Sequence, residues 1–226
     1  MGKKVGIDRG IVTFAICSDG KEMKGISPLK ENLNKLKRFQ KKLTKKKKFS
    51  SNWKKIIIKL QKIHHHVKNK RKDYLHKITS QLAKSHSLIV LEDLKVGNMS
   101  KSAKGTLENP GKNVKAKSGL NRAILDQGWY MFQILLEYKV KLNGGRVIYV
   151  NPRNTSIKCS RCKHISKENR KSQEKFECVK CGFKANADYN ASLNILAEGL
   201  SVIACGIETV VSMMKQELEM RKPALV

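Results

Sequence analysis

Four cysteines near the C-terminal end of this 226-residue chain stand as two C-x-x-C pairs, Cys159/Cys162 and Cys178/Cys181, with fifteen residues between the pairs. Each C-x-x-C turn lets two thiolates converge on one ion, and two such knuckles complete a tetrahedral S₄ shell with bonds of roughly 2.3 Å. The spacing is that of a zinc ribbon. Lys158, Arg161, Lys163 and Lys180 flank the ligands and favour thiolate over thiol. A full shell leaves no open position, so the zinc is expected to be structural. Redox pairing is the competing account. It is disfavoured because Met1-Gly2-Lys3-Lys4 runs straight into a strand-like segment, so no secretory leader is expected. Cys17 and Cys205 stand alone and read as buried free thiols. His64-His65-His66 look like a metal box, but neighbours on a helix point about 100° apart and cannot share one ion facially.

The ribbon occupies little of the chain, and charge organises the rest. Forty-eight Lys+Arg against 18 Asp+Glu give +30, an excess that repels itself unless a polyanion is near. Nucleic acid is the first candidate and an anionic membrane surface the second. No apolar run approaches the ~18 residues of a membrane span, so no transmembrane segment is expected. A hydrophobic fraction of 40% still implies a packed core.

Much of the charge sits on one element. Leu29, Leu33, Leu36, Phe39 and Leu43 step by three and four, as do Ile56, Leu60, Ile63 and Val67. The break falls over Lys45 to Asn52, with Ser51 or Asn52 placed to cap the second helix. A long helical hairpin over residues 29–82 is expected. Between Lys30 and Lys77 it carries 19 Lys/Arg and two acids (Glu31, Asp73), a local excess of +17. Like charges at i,i+4 destabilise a helix unless a polyanion relieves them. The hairpin is therefore expected to hold phosphate backbones without reading sequence, a mode of binding that weakens steeply with salt.

Around the hairpin the pattern is α/β. Val5 to Asp8 and Thr13 to Cys17 read as strands, Ser18-Asp19-Gly20 as a turn, and Lys21 to Ile26 as a returning strand. Ser87 to Glu92 and Arg146 to Val150 are short continuous apolar runs, the signature of buried strands. Gly97 to Gly119 has no period and reads as a mobile loop, Asn121 to Lys141 as one helix, and Asp188 to Gly199 as a closing helix. Asp8 ends or interrupts the first strand, Glu92 ends the strand of Ile89 to Leu91, and Asp188 opens the closing helix. Each alone is most simply a turn or cap residue. Together, three carboxylates from separate elements of a basic protein are what a pair of Mg²⁺ ions needs to cleave a phosphodiester.

These residues resemble a known family. Gly6-Ile7-Asp8-Arg9-Gly10 before a hairpin is similar to the first RuvC motif of TnpB, the transposon-encoded RNA-guided nucleases related to compact type V CRISPR effectors. Leu91-Glu92-Asp93-Leu94 resembles the second motif. Asn151-Pro152-Arg153-Asn154-Thr155-Ser156 before Cys159, and Ala187-Asp188-Tyr189-Asn190-Ala191-Ser192 after Cys181, resemble the ribbon and third RuvC segments. Residues 204–209 and 214–217 resemble the family's C-termini.

The resemblance implies an RNase H-like (RuvC) mixed sheet with flanking helices, a basic helical hairpin insertion and a zinc ribbon. It implies Asp8, Glu92 and Asp188 as catalytic Mg²⁺ ligands, and Cys159, Cys162, Cys178 and Cys181 as Zn²⁺ ligands. DNA is the implied substrate, guide RNA a candidate partner, and the prokaryotic cytoplasm, at the nucleoid, the implied location. The expected organisation is a nuclease core over 1–150, the ribbon over 151–186, a closing segment over 187–206 and a loosely ordered tail over 207–226. Family members carry a wedge and a recognition region before the first motif, whereas Met1 here stands seven residues before Asp8. The chain therefore reads as a core without the parts that hold guide RNA. The alternative is a truncated, catalytically silent remnant that binds nucleic acid. A basic RNA-binding zinc ribbon of ribosomal type would make the acids accidental.

Overall fold

The computed structural model describes residues 2–204, so the expected tail, its family-like segments and Cys205 lie outside the described residues. Five strands form one mixed sheet in the order β3-β2-β1-β4-β5. They are β1 (Lys3–Arg9), β2 (Thr13–Cys17), β3 (Glu22–Lys24), β4 (His86–Glu92) and β5 (Arg146–Val150). The first three make an antiparallel meander, while β4 and β5 join β1 in parallel. Parallel neighbours need covering on both faces, and helices supply it. On one face Val5, Ile7, Ile89 and Leu91 pack with Leu75 and Leu82 of α2 (Ser51–Ser85) and with Phe132 and Leu136 of a later helix. On the other, Leu88, Val90 and Val150 pack with Ile195 of the closing helix.

The basic hairpin pairs α1 (Pro28–Thr44) with α2 through Leu36, Leu60 and Ile63, with Leu29, Phe39, Leu43 and Ile56 at the margins. Its lysines cover the remaining faces. The second helix is capped one residue earlier than expected: Ser50, not Ser51 or Asn52, accepts from Trp53 N at 3.2 Å. An unforeseen buried acid fixes the base of the hairpin. Asp126 accepts from Leu29 N at 3.0 Å, satisfying a free amide of the first turn of α1, and pairs with Arg71 of α2.

Two expectations for the middle of the chain are corrected. The segment from Gly97 to Gly119 is not wholly a loop. It holds the end of a short helix, α3 (Val96–Met99), a bridge between Gly105 and Pro110, and the start of α4 (Val114–Gln127). The single helix expected over Asn121 to Lys141 is two, α4 and α5 (Trp129–Leu142), divided by Gly128 in the left-handed conformation at φ +70°. A Cβ at Gly128 would lie 2.9 Å from Arg71 Cδ, so the break is where the chain turns against α2. The third strand is also shorter than expected, ending at Lys24 instead of Ile26.

After β5 come the ribbon strands β6 (Lys175–Glu177) and β7 (Lys184–Asn186), then α6 (Ala187–Ala204). The seat of α6 on the sheet depends on absent side chains. A Cβ on Gly6 would stand 2.3 Å from Ser192 O and 2.5 Å from Leu196 N, and one on Gly199 would stand 2.5 Å from Val90.

Gly6→Ala should therefore push α6 off the sheet and cost about 1–3 kcal/mol, the usual range for overpacking. Gly119→Ala, in α4 with nothing within 4 Å of the added Cβ, should stabilise by about 0.5–1 kcal/mol. Denaturant unfolding of the two variants checks this, and equal effects would remove the claim that α6 is seated through Gly6.

Candidate active site

Strand parity and register place the acids. Along β1, Val5 and Ile7 face α2 and α5, so Gly6 and Asp8 face α6 by alternation. Along β4, Leu88 and Val90 face α6, and Glu92 follows in the same alternation. The parallel register runs from Lys4↔Leu88 to Ile7↔Leu91, which brings Asp8 level with Glu92 on the neighbouring strand. Neighbouring strands lie roughly 4.8 Å apart. Both acids thus stand at the carboxyl ends of adjacent parallel strands, where ligand sites form in α/β folds.

The third acid arrives with α6. Asn186 caps this helix, its Oδ1 accepting from Asp188 N at 2.9 Å and Tyr189 N at 3.1 Å. Asp188 lies in the first turn, where the helix dipole favours a carboxylate. Burial, then Glu92, then Asp188 push the Asp8 carboxyl up to about 8, with Arg170 and the Arg9 N–H acting against them. Burial also raises Glu92, opposed by the Thr155 hydroxyl and by Arg9. Asp188 is raised by burial and lowered by Arg170. The structure brings all three sequence-selected acids into one electrostatic group.

Two contacts in this group have no sequence signal of their own. Thr155 donates from Oγ1 to Glu92 Oε1 at 2.5 Å, and Arg170 Nη2 lies 3.1 Å from Asp188 Oδ1. Thr155 stood inside a family-like segment without a role, and nothing in the sequence singled out Arg170. Among the described residues, the cysteines are the one group of three or more ligand atoms all within 4.8 Å of one another. The carboxylates are set wider. Their hard oxygen donors and their mutual repulsion nevertheless fit divalent cations.

The cysteine cluster fits an ion directly. Its knuckles share one backbone pattern: Cys159 N donates to His164 O and Lys163 N to Cys159 O, while Cys178 N donates to Phe183 O and Gly182 N to Cys178 O. The Cys159–Cys181 and Cys162–Cys178 Sγ separations are 3.7 and 3.5 Å. Tetrahedral bonds of about 2.3 Å put sulfurs about 3.8 Å apart, so the cluster is compatible with zinc. His164 contributes its carbonyl and not its ring, in keeping with a shell of four thiolates. Asn190 and Asn194 of α6 join ribbon to core. Asn190 accepts from Ser160 N at 3.0 Å and donates to Lys158 O at 2.8 Å, and Asn194 donates to Thr155 O at 2.9 Å.

A cleft of about 790 Å³ lies away from the acids, between α2 and the α3–α4 segment, and Lys68, Arg71, Lys104 and Arg122 are among the residues lining it. Among the described residues, no helix is long and apolar enough to cross a membrane.

A mixed sheet with three acids at one end, helices on both faces and an appended four-cysteine ribbon is a RuvC-type α/β architecture. It resembles a solved chain, Cas12f1 in complex with single-guide RNA and target DNA, at a TM-score of 0.51 and 23% identity, covering 85% of this chain and 49% of that one. Residues 1–103 match the family model described as "Probable transposase" (OrfB_IS605), and residues 129–195 match "Cas12f1-like, TNB domain". The candidate RNA-guided DNA endonuclease InsQ of Escherichia coli K12 is 52% identical over 202 residues, covering 89% of this chain and 50% of that protein. A candidate RNA-guided DNA endonuclease of Streptomyces pristinaespiralis is 30% identical over 203 residues, covering 89% of this chain and 46% of its own length. Through these two models and these relatives the chain resembles the TnpB (OrfB-type transposase) family along most of its length. It spans about half the length of these curated relatives.

The raised Asp8 carboxyl sets a pH dependence. A group held near 8 in the folded state and near 3.8 when unfolded contributes stability below the lower value and loses it as pH rises through the higher one. Without divalent metal, wild-type stability should fall between pH 4 and 8 relative to Asp8→Asn. Melting curves at both pH values check this; parallel profiles for the two proteins would exclude a raised carboxyl at Asp8.

Proposed function

We propose that this chain is the metal-dependent nuclease core of a TnpB-type protein that hydrolyses DNA phosphodiesters. The observation that carries the reading is the convergence of Asp8, Glu92 and Asp188, from two parallel strands and a capped helix, into a group in which burial first, and then the charges of Glu92 and Asp188, push Asp8 up to about 8. Buried carboxylates that also repel one another are poised for cations. Their spread beyond 4.8 Å suits two ions more than one, since two ions stand about 4 Å apart. When bound, two Mg²⁺ ions supply an activated water and charge stabilisation at the leaving oxygen of an in-line displacement.

The chain's own residues set the geometry for that step. Asp8 and Glu92 hold metal from the strand ends, and Asp188 holds it from the first turn of α6. Thr155 fixes one oxygen of Glu92 through a hydrogen bond. Arg170 neutralises Asp188 and, with its fork of donors, is placed to meet phosphate oxygens. The four thiolates hold a structural zinc that keeps the ribbon, and Arg170 with it, beside the acids. The lysine-covered hairpin and the basic cleft beside it hold phosphate backbones. DNA is the substrate under this reading, guide RNA is a further partner in keeping with the relatives' names, and the protein acts in the prokaryotic cytoplasm at the nucleoid.

The test is cleavage of labelled single- and double-stranded DNA by the purified chain, with and without RNA that co-purifies with it. Mg²⁺-dependent cutting is expected, reduced by more than about 100-fold in Glu92→Gln because a metal ligand is lost. Undiminished cutting by that variant would remove Glu92 from the site, and salt-sensitive binding without cutting would leave a binding protein only. Zinc content of one ion per chain is expected, with a lower melting temperature after chelation. A metal-free chain with an unchanged melting curve would sink the structural zinc.

A further inference from the structure

Arg9, the residue after Asp8 in β1, faces away from the acids by strand alternation and is 6% exposed. Its Nη2 donates to the backbone carbonyl of Glu92, while its buried Nη1 has no hydrogen-bond partner among the described residues. Burying a guanidinium with an unmatched donor is unfavourable, and an apolar residue at such a position is often neutral or better for stability. Packing alone therefore gives no reason for an arginine here.

The register supplies one. The β1–β4 ladder closes at Ile7↔Leu91. Beyond it β1 leaves for its turn, with Gly10 N donating to Phe14 O, and Asp93 N pairs with Val150 O of β5. Glu92 thus lies just past the point where the two acid-bearing strands stop pairing. The Arg9 side chain spans that gap, linking the end of β1 to the main chain of Glu92. On the opposite side of the sheet lie the acids themselves. Burial pushes the Arg9 pKa down, and Tyr149, Glu92, Asp8 and Asp93 push it back up.

We infer that Arg9 is a positioning residue for the acid group, fixing the main chain of Glu92 relative to Asp8 from behind the sheet. The inference rests on the metal-site reading proposed above. It makes an unusual demand on charge: removing a cation near three carboxylates should by Coulomb's law strengthen cation binding, whereas loss of positioning should weaken it. The sign of the change separates the two roles.

The experiment is Mn²⁺ binding to the full, zinc-loaded chain, followed by loss of the free-ion paramagnetic signal, with melting temperature measured in parallel. Wild type is expected to bind and Asp8→Asn to lose binding; a wild type that takes up no Mn²⁺ overturns the metal-site reading, and this inference with it. Given wild-type binding, Arg9→Met is expected to weaken Mn²⁺ affinity about 10- to 100-fold, the usual effect of losing a support behind a ligand. Affinity equal to or tighter than wild type would overturn the inference while leaving the site intact. Should Arg9→Met not fold, Arg9→Lys decides: it keeps the charge but loses the guanidinium fork. Weakened binding at an unchanged melting temperature supports positioning, and wild-type affinity rejects it.

Discussion

The seat of α6 against β1 at Gly6 is the contact on which the acid group depends. Two acids are fixed by the parallel pairing of β1 with β4, which needs only the register of one ladder. The third lies on a helix after the ribbon and reaches the group because Gly6 lets Ser192 and Leu196 approach the strand closely. Any side chain there would lift the helix, and Asp188, one turn before Ser192, would move with it. Asn186 then sets the start of the helix, so that Asp188 falls in its first turn. Backbone closeness, cap and register together bring three positions distant in sequence into one group of acids.

The ribbon is tied to the same helix and does not stand alone. Asn190 and Asn194, buried on α6, bind the main chain at Lys158, Ser160 and Thr155. From that anchored module Arg170 reaches Asp188 and Thr155 reaches Glu92. Its Asn169 is fully buried and ties the turn before Arg170 to Ile157 O and Val179 N. Order imposed by the four cysteines is thereby passed to the acids through short polar contacts. The basic hairpin contributes differently. Only the C-terminal half of α2 enters the main core, through Leu75, Ile78 and Leu82, and the remainder pairs with α1 through a narrow apolar seam. A helix of this length, roughly 50 Å at 1.5 Å per residue, offers a long lysine-covered surface while the core carries its stability.

Much of this was legible in the residue pattern. Continuous apolar runs marked β4 and β5 as buried strands, steps of three and four marked the hairpin, and C-x-x-C spacing marked the ribbon. Less was legible where neighbouring elements compete with local pattern. Gly128 sits on a helical stripe, yet Arg71 and Leu75 of α2 crowd it, and the chain breaks there. Ser50, Ser51 and Asn52 are equally good caps by chemistry, and the turn at Phe49, with φ +67°, selects Ser50. Asp126 looked like an ordinary helical acid and proved to join three helices, because its partners lie 55 and 97 residues away in sequence.

By itself the sequence determined the elements and the chemistry: alternating and apolar strands, a cationic hairpin, four cysteines at ribbon spacing, and acids at the ends of buried runs. These are local properties, set by side-chain period and by residue type. Tertiary structure alone decided that Asp8 stands level with Glu92, that Asp188 joins them, and that Arg9 and Thr155 contact Glu92 while Arg170 contacts Asp188. Those relations depend on the register between strands whose paired residues lie 84 positions apart and on how closely a helix can approach a glycine. No window of neighbouring residues contains that information, because the energy that selects it arises only when both surfaces are buried together.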